Sequence, residues 1–251
     1  MKTQDLTEFS SGIEYDAQYS QHYDDEIEFI KRQIRVIHAN SLLDVCCGSG
    51  IVTIPVSENL KCTVGIDISK GMLEHAERKA IGRDNLRLFH QDATQFSLGK
   101  QFDLAIMTGN AFQAFLEDDM LRGVLDSLSI HLRQGGRFVF DTRLPTQENL
   151  CIDDEMALWQ TYLSPAFGEV KFMGMCARYD QETSIMYLKK ERHLEDGRCV
   201  PSSIDLKYRS LGEIYSFLEC SGFRVIAKYR SWSEQEFDPD SDSLICVAEK
   251  I

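Results

Sequence analysis

Leu43-Asp44-Val45-Cys46-Cys47-Gly48-Ser49-Gly50 ends a short apolar run on two glycines. Glycine lets a backbone approach a ligand closely. Free N–H groups where a helix begins favour a carboxylate or phosphate. A helix stop or a packing requirement would leave the same glycines. Asp67 closes Val64-Gly65-Ile66, 17 positions past Gly50. An acid at the tip of the second strand of a doubly wound sheet hydrogen-bonds ribose hydroxyls; the same residue is also placed to cap a helix starting near Ser69. Both signals fall on one strand edge, and together they point to a nucleoside ligand. A dinucleotide fingerprint would put glycine at position 53, where the chain has Thr53. Asp44, four residues before Gly48, is an acid that a dinucleotide does not need. It suits a ligand whose amino-acid end carries an ammonium, met directly or through water.

These residues need a scaffold, and the periodicity supplies one. Residues 24–39 carry Ile27, Phe29, Ile30, Ile34, Val36 and Ile37 among charges, the pattern of an amphipathic helix. Strands are expected at Leu42–Cys46, Cys62–Ile66, Leu86–Phe89, Leu104–Met107 and Arg137–Phe140. Helices are expected from about Ile51, over Ser69–Ala80 and over Glu117–Arg133, the last stopped by Gly135-Gly136. Such alternation implies an α/β, doubly wound, Rossmann-like parallel sheet. From about Cys151 to Ser210 the helix pattern lapses into alternating β-rich stretches, with Glu195-Asp196-Gly197 as a hairpin turn. The reading is a small antiparallel β insertion after the fifth strand. A helix at Leu211–Glu219 and strands at Phe223–Tyr229 and Leu244–Ala248 resume the sheet, the last strand antiparallel, for seven strands in all. The expected division is residues 1–150 with 211–251 as the ligand-binding domain and 151–210 as an inserted subdomain.

The 251 residues are 43% hydrophobic and 10% aromatic, with 16 Gly and 5 Pro, so collagen-like and disordered classes are excluded. No apolar run approaches the roughly 20 residues of a membrane span. Met1 to Gly12 is polar and does not read as a secretory signal. A net charge of −13 repels a phosphate backbone and argues against nucleic-acid partners. The acidic runs, Asp24-Asp25-Glu26 among them, read as solvated loops and helix starts. None of the eight cysteines forms a C-x-x-C pair, so no metal site is expected, and the thiols suit a reducing cytoplasm.

Taken in order, several segments resemble the class I S-adenosylmethionine-dependent methyltransferases. Leu43–Gly50 is similar to the family's first motif. Val64-Gly65-Ile66-Asp67-Ile68-Ser69, followed by Met72-Leu73, is similar to its second. His90-Gln91-Asp92-Ala93 resembles the adenine-contacting segment, Phe102–Met107 the fourth strand, and Gly135–Asp141 the fifth. The resemblance implies that Gly48 and Gly50, with Asp44, Cys46 and Ser49 of the same turn, hold the methionine part of S-adenosyl-L-methionine. It implies that Asp67 takes the ribose hydroxyls, that Ile68 and Met72 flank the adenine, and that Asp92 and the Ala93 N–H meet its edge. Thr108, Gly109 and Asn110 would lie beneath the methionine and sulfonium. Cys46 stands where many members have glycine. Asp92 also reads as a simple turn residue, and Met72 as helix core.

Methyl transfer needs alignment more than acid–base machinery, and no His–Asp pair stands near the fourth strand to name a catalytic residue. The Asn-Pro-Pro-Tyr type signature of nucleic-acid amino-methylating enzymes is absent after Met107. A small-molecule acceptor methylated at nitrogen or oxygen is therefore expected. A tRNA or protein methyltransferase and a non-catalytic nucleoside-binding module are the alternatives. Tyr15, Tyr19 and Tyr23, spaced by four, would share a helical face as a lid or as plain packing. Tyr15, Tyr19, Gln113 and Arg143 are the candidates for positioning the acceptor. Arg143 would meet an anionic group or pair with a neighbouring acid. The insertion is the natural place for acceptor specificity or for a homodimer contact.

Overall fold

The computed structural model describes residues 5–251; the first four residues of the polar opening stretch lie outside the described residues. Strands β1 (Ser41–Val45), β2 (Cys62–Asp67), β3 (Leu86–His90), β4 (Phe102–Met107), β5 (Leu132–Arg143), β10 (Phe223–Tyr229) and β11 (Ser243–Lys250) form one sheet. Its order is β10-β11-β5-β4-β1-β2-β3. The five strands β1–β5 pair in parallel, and β11 runs antiparallel to both β5 and β10. The inner strands β1, β2, β4 and β11 are apolar on both faces because both faces are covered. Leu43, Phe138 and Phe140 point to a core with helices α5 (Asp118–His131) and α6 (Leu211–Cys220). Their neighbours Leu42 and Val139 point to the other core, against Phe29 and Ile30 of α2 (Asp24–Val36).

Two details depart from the periodicity. The helix after the glycine turn is a single turn, α3 (Thr53–Val56), followed by a 3-10 turn over Ser57–Asn59. Pro55 sits inside it and has no N–H to extend the ladder. The fifth strand begins at Leu132, before the glycines rather than after them. Gly135, at φ +71°, bends the extended segment instead of ending the helix, and the β4–β5 register shifts between Phe102 and Leu104.

A second, antiparallel sheet holds β6 (Ala157–Ser164), β7 (Gly168–Asp180), β8 (Ile185–Leu194) and β9 (Cys199–Lys207) in that order. The Glu195–Gly197 turn joins β8 to β9, with Gly197 at φ +86°. The N-terminal segment ties the two sheets together. Its helix α1 (Gly12–Tyr19), capped by Ser11, lies between β6 and α4 (Lys70–Lys79). On the inserted-sheet side, Lys190 pairs with Glu8 at 2.5 Å and Arg192 donates to Gln18 at 3.0 Å. On the α4 side, Asp16 meets His75 and Lys79, and Ser69 Oγ donates to the Phe9 carbonyl at 2.6 Å.

Gly71 offers a clean way to lift this segment. A Cβ there would lie 2.0 Å from the Ser10 carbonyl oxygen, and its three nearest neighbours would all be atoms of Ser10. Alanine suits the helix itself. Gly71→Ala should therefore displace Ser10 and weaken the neighbouring Ser69–Phe9 bond while leaving α4 intact. One hydrogen bond is worth about 1 kcal/mol, or about fivefold in the open population. Limited proteolysis within residues 5–23 should accelerate by that order; an unchanged rate would show that the segment's hold lies elsewhere.

Candidate functional site

The strand order reverses between β1 and β4, so the loops leaving those strands diverge and open a crevice at the sheet's C-terminal edge. The glycine turn leaves β1 there. Cys46, Gly48 and Gly50 all take positive φ, at 63°, 55° and 76°. A Cβ on Gly48 would find only ordinary contact with Met72 Cε at 3.6 Å, so its backbone angle is what calls for glycine. Cys46 adopts the same left-handed region with a side chain, a strain of order 1–3 kcal/mol that a glycine would not carry.

Asp44 is buried beneath this turn. One oxygen accepts the Thr53 hydroxyl at 2.5 Å, and the other, Oδ1, has no partner. Burial, aided by the nearby Asp67 charge, pushes the Asp44 carboxyl up to about 7. Thr53, the residue that breaks the dinucleotide pattern, is thus the one that holds Asp44. Ser49 is also buried, and its hydroxyl donates to Asp16 of α1 at 2.5 Å, so the N-terminal segment closes directly on the turn.

Asp67 spans two strand tips. Its oxygens accept the Gly48 N–H at 2.8 Å and the Ser69 N–H at 2.7 Å. Ser69 is the residue that caps α4. Each carboxylate oxygen of Asp67 keeps a second lone-pair direction, enough for a pair of hydroxyl donors. Burial raises its pKa. Burial also raises the Cys46 thiol, with the charges of Asp67, Asp44 and Asp92 adding to it, so three carboxylates surround this turn. Asp92 Oδ1 accepts from both the backbone and the hydroxyl of Thr94 in a tight turn, and Ala93 is buried beside it. Ile68 is half exposed at the edge, whereas Met72 is buried in the core under Gly48.

Beyond β4 lies the second half of the crevice. Gly109 and Asn110 take φ of 69° and 58°, and the Asn110 N–H is shared by both oxygens of Asp141 at 3.0 and 3.1 Å. Thr108 is half-buried beside them. Over Gly109 hang two tyrosines whose hydroxyls are 2.7 Å apart, Tyr15 and Tyr23. Tyr19 packs its ring tilted against Tyr15, centroids 4.8 Å apart, and donates to Glu8. The three tyrosines do cluster, but not as one helical face: α1 ends at Tyr19 and a 3-10 turn carries the chain round to Tyr23. Gln113 is fully buried, its amide beside the Tyr208 hydroxyl. Burial raises the Tyr208 hydroxyl, and Arg143 and Gln113 pull it back, which places all three together on the wall facing the inserted sheet. Arg143 makes no ion pair within 4.0 Å among the described residues.

Glu26, on α2, lies near Asp141 and Asp44 and was not singled out by residue type. It is buried, with Oε2 unpartnered. Burial raises its pKa strongly; Asp141 and Asp44 add to this, while Trp232 hydrogen-bonds the carboxyl and lowers it. Its signal lay in phase rather than type, since Glu26 shares the helix face of Phe29, Ile30 and Gln33. Away from the crevice, Glu191, His193 and Cys199 come within 4.8 Å of one another on the β8–β9 hairpin. Cross-strand pairing of His193 with Cys199 makes this group, which no spacing along the chain reveals. His193 and Glu191 already satisfy each other at 2.7 Å.

Residues 42–136 match the family model of a methyltransferase domain. Among curated relatives, the chain is 30% identical to a demethylmenaquinone methyltransferase of Staphylococcus aureus over 152 residues, covering 56% of this chain and 58% of the relative. It is 26% identical to the cypemycin N-terminal methyltransferase of a Streptomyces species over 113 residues, 45% of this chain and 46% of the relative. The chain thus spans about half the length of the curated relatives it matches. Among solved structures, an S-adenosylmethionine-dependent methyltransferase of Clostridium acetobutylicum superposes with a TM-score of 0.81 at 19% identity, over 94% of this chain and 96% of that one. A sugar N-methyltransferase from a Streptoalloteichus species superposes at 0.76 with 19% identity, over 100% and 94% of the two chains. No helix among the described residues is long and apolar enough to cross a membrane. The matching methyltransferase domain lies across the glycine turn, Asp67 and the reversal between β1 and β4, and the chain has the fold of an S-adenosylmethionine-dependent methyltransferase.

Proposed function

We propose that the protein methylates a small-molecule acceptor at nitrogen or oxygen, using the crevice between the glycine turn and the Thr108–Asn110 loop. The observation that carries this reading is Asp44 Oδ1, a buried carboxylate oxygen without a partner directly under the turn. It fits the ammonium of the cofactor's methionine end. Gly48, Ser49 and Gly50 would hold that end, and Asp67 the ribose, through the lone pairs its two N–H partners leave open. Ile68, Met72, Asp92 and Ala93 would border the adenine, and Cys46 the loop beneath. The cofactor supplies an electrophilic methyl: the acceptor's lone pair forms the new bond as the carbon–sulfur bond breaks, its electrons staying on sulfur as a neutral thioether.

The chain's own contribution is enclosure and alignment. Tyr15, Tyr19 and Tyr23 cover the site from the N-terminal segment and exclude water. Gln113, Tyr208 and Arg143 would face the acceptor from the side of the inserted sheet, which residues 151–210 supply as a specificity subdomain. A net charge of −13 favours a small molecule over a nucleic acid, and a cytoplasmic setting and a homodimer go with this reading. The sugar N-methyltransferase named among the structural neighbours supports a small acceptor.

Calorimetry tests the cofactor assignment. S-adenosylhomocysteine should bind with measurable heat, and NAD should not compete. Asp67→Ala removes a charged acceptor of hydroxyl hydrogen bonds worth roughly 1.5–3 kcal/mol. Affinity should fall by about tenfold or more. An unchanged dissociation constant in a folded Asp67→Ala protein would remove Asp67 from the ribose site.

A further inference from the structure

We propose that the acceptor is a basic amine, seated as its ammonium against Glu26 and Asp141 beside Asn110, with Glu26 accepting the proton that frees the nitrogen. This rests on the methyltransferase reading and names its substrate class. Beside the Tyr15 and Tyr23 hydroxyls, the surroundings of Gly109 hold several buried acceptors. Glu26 Oε2 and Asn110 Oδ1 are buried without partners, and Asp141 is buried with both oxygens turned to a single N–H. Unpartnered buried acceptors are costly in a folded protein. A ligand that brings several N–H donors and a positive charge satisfies them; an alcohol, with one donor and no charge, does not.

The cofactor's methionine ammonium has its own acceptor in Asp44 at the β1 tip. Glu26 and Asp141 enter instead from α2 and the end of β5, around the loop that follows β4. The groups facing them are Asp44 from β1, Arg143 from β5, Tyr15 from α1 and Tyr23 from the turn before α2. Only Arg143 among these is cationic; both carboxyls are raised chiefly by burial, and Asp141 adds to the rise of Glu26. A carboxyl so raised is a better base than an exposed one, suited to an ammonium near neutral pH.

The protons balance. The ammonium gives one proton to the Glu26 carboxylate, which becomes a neutral carboxyl, and the nitrogen regains its lone pair. After transfer the methylated nitrogen carries the positive charge away, and Glu26 returns its proton to water.

The test supplies labelled S-adenosylmethionine with pairs of acceptors sharing a skeleton: glucosamine with glucose, putrescine with butanediol, glycine with glycolate. In parallel, the protein saturated with S-adenosylhomocysteine is titrated with each compound. Label should pass to amine members, or amine members should bind saturably, while their alcohol partners do neither. Glu26→Gln should lower transfer to the best amine by about a hundredfold at neutral pH, and Glu26→Asp should restore part of it. The dissociation constant of S-adenosylhomocysteine should change less than about threefold in Glu26→Gln. Label on alcohol members, or neither transfer nor binding with any amine, overturns the substrate class while the calorimetry above still judges the cofactor reading. A tenfold loss of S-adenosylhomocysteine affinity in Glu26→Gln overturns the assignment of Glu26 to the acceptor and gives it to the cofactor.

Discussion

Glu8→Ala should turn the N-terminal segment from a closed cover into an open one. Glu8 and Lys190 form a buried ion pair, their side chains 3% and 10% exposed, and Tyr19 also donates to Glu8. Removing one partner of a buried pair leaves a charge without compensation and costs about 3–5 kcal/mol. Here Lys190 would be left beside Arg192 and Arg143, two further cations, which already lower its pKa together with burial, the largest cause. The least costly response is local: the segment lifts and water reaches the ammonium. The opening equilibrium should therefore rise by about a hundredfold or more, against about fivefold for Gly71→Ala. Hydrogen exchange at the amides of α1 reads this directly. The paired change Glu8→Met with Lys190→Met should recover most of the protection, because an apolar pair of similar size needs no compensation. Exchange in α1 unchanged by Glu8→Ala would show that the segment is held by Asp16 and Ser49 instead.

The sheet was legible because its inner strands are apolar on both faces and separated by amphipathic stretches, a pattern that few other packings satisfy. Its lapses have local causes. Gly135-Gly136 has the composition of a helix stop, but a glycine at positive φ serves equally to bend an extended strand, and only the pairing of Phe102 with Leu132 distinguishes the two. Pro55 shortens α3, a constraint that apolar spacing does not record. The glycine turn and Asp67 could be read because their chemistry sits in consecutive residues. Glu26 could not be read from the acidic run that contains it, where Asp24 and Asp25 are exposed and Glu26 is buried. Three neighbours of one type have different fates because helical phase, not composition, decides which one turns inward. The polar links between the N-terminal segment and the inserted sheet were invisible for another reason. Glu8 and Lys190 are 182 positions apart, and nothing local in either sequence requires the other.

The folded protein should lose stability as pH rises from the ordinary carboxylate range through neutrality, and Glu26→Gln should remove part of that loss. Asp44, Asp141 and Glu26 all have folded pKa values raised above the unfolded references of 3.8 and 4.5, chiefly by burial. For a raised carboxyl the native state holds a proton that the unfolded chain has released. Its contribution is complete below the unfolded pKa, and it is lost as pH climbs through the folded value, about 7 for Asp44. While one such group is protonated only in the native state, stability falls by about 1.4 kcal/mol per pH unit. Tyr15 and Tyr23 face the cluster but are themselves raised by burial, so neither adds a slope near neutral pH. Glutamine keeps the shape of Glu26 and cannot ionise. The Glu26→Gln protein should therefore show a slope shallower by about one proton between about pH 5 and 7, and should be the more stable of the two at the upper end. Denaturant unfolding at a series of pH values measures both slopes. A cation seated against Glu26 and Asp141 would favour their charged forms, so a bound amine should flatten the wild-type slope and leave that of Glu26→Gln nearly unchanged. Equal slopes in the two proteins would mean that Glu26 is ionised in the native state and already has a cationic partner.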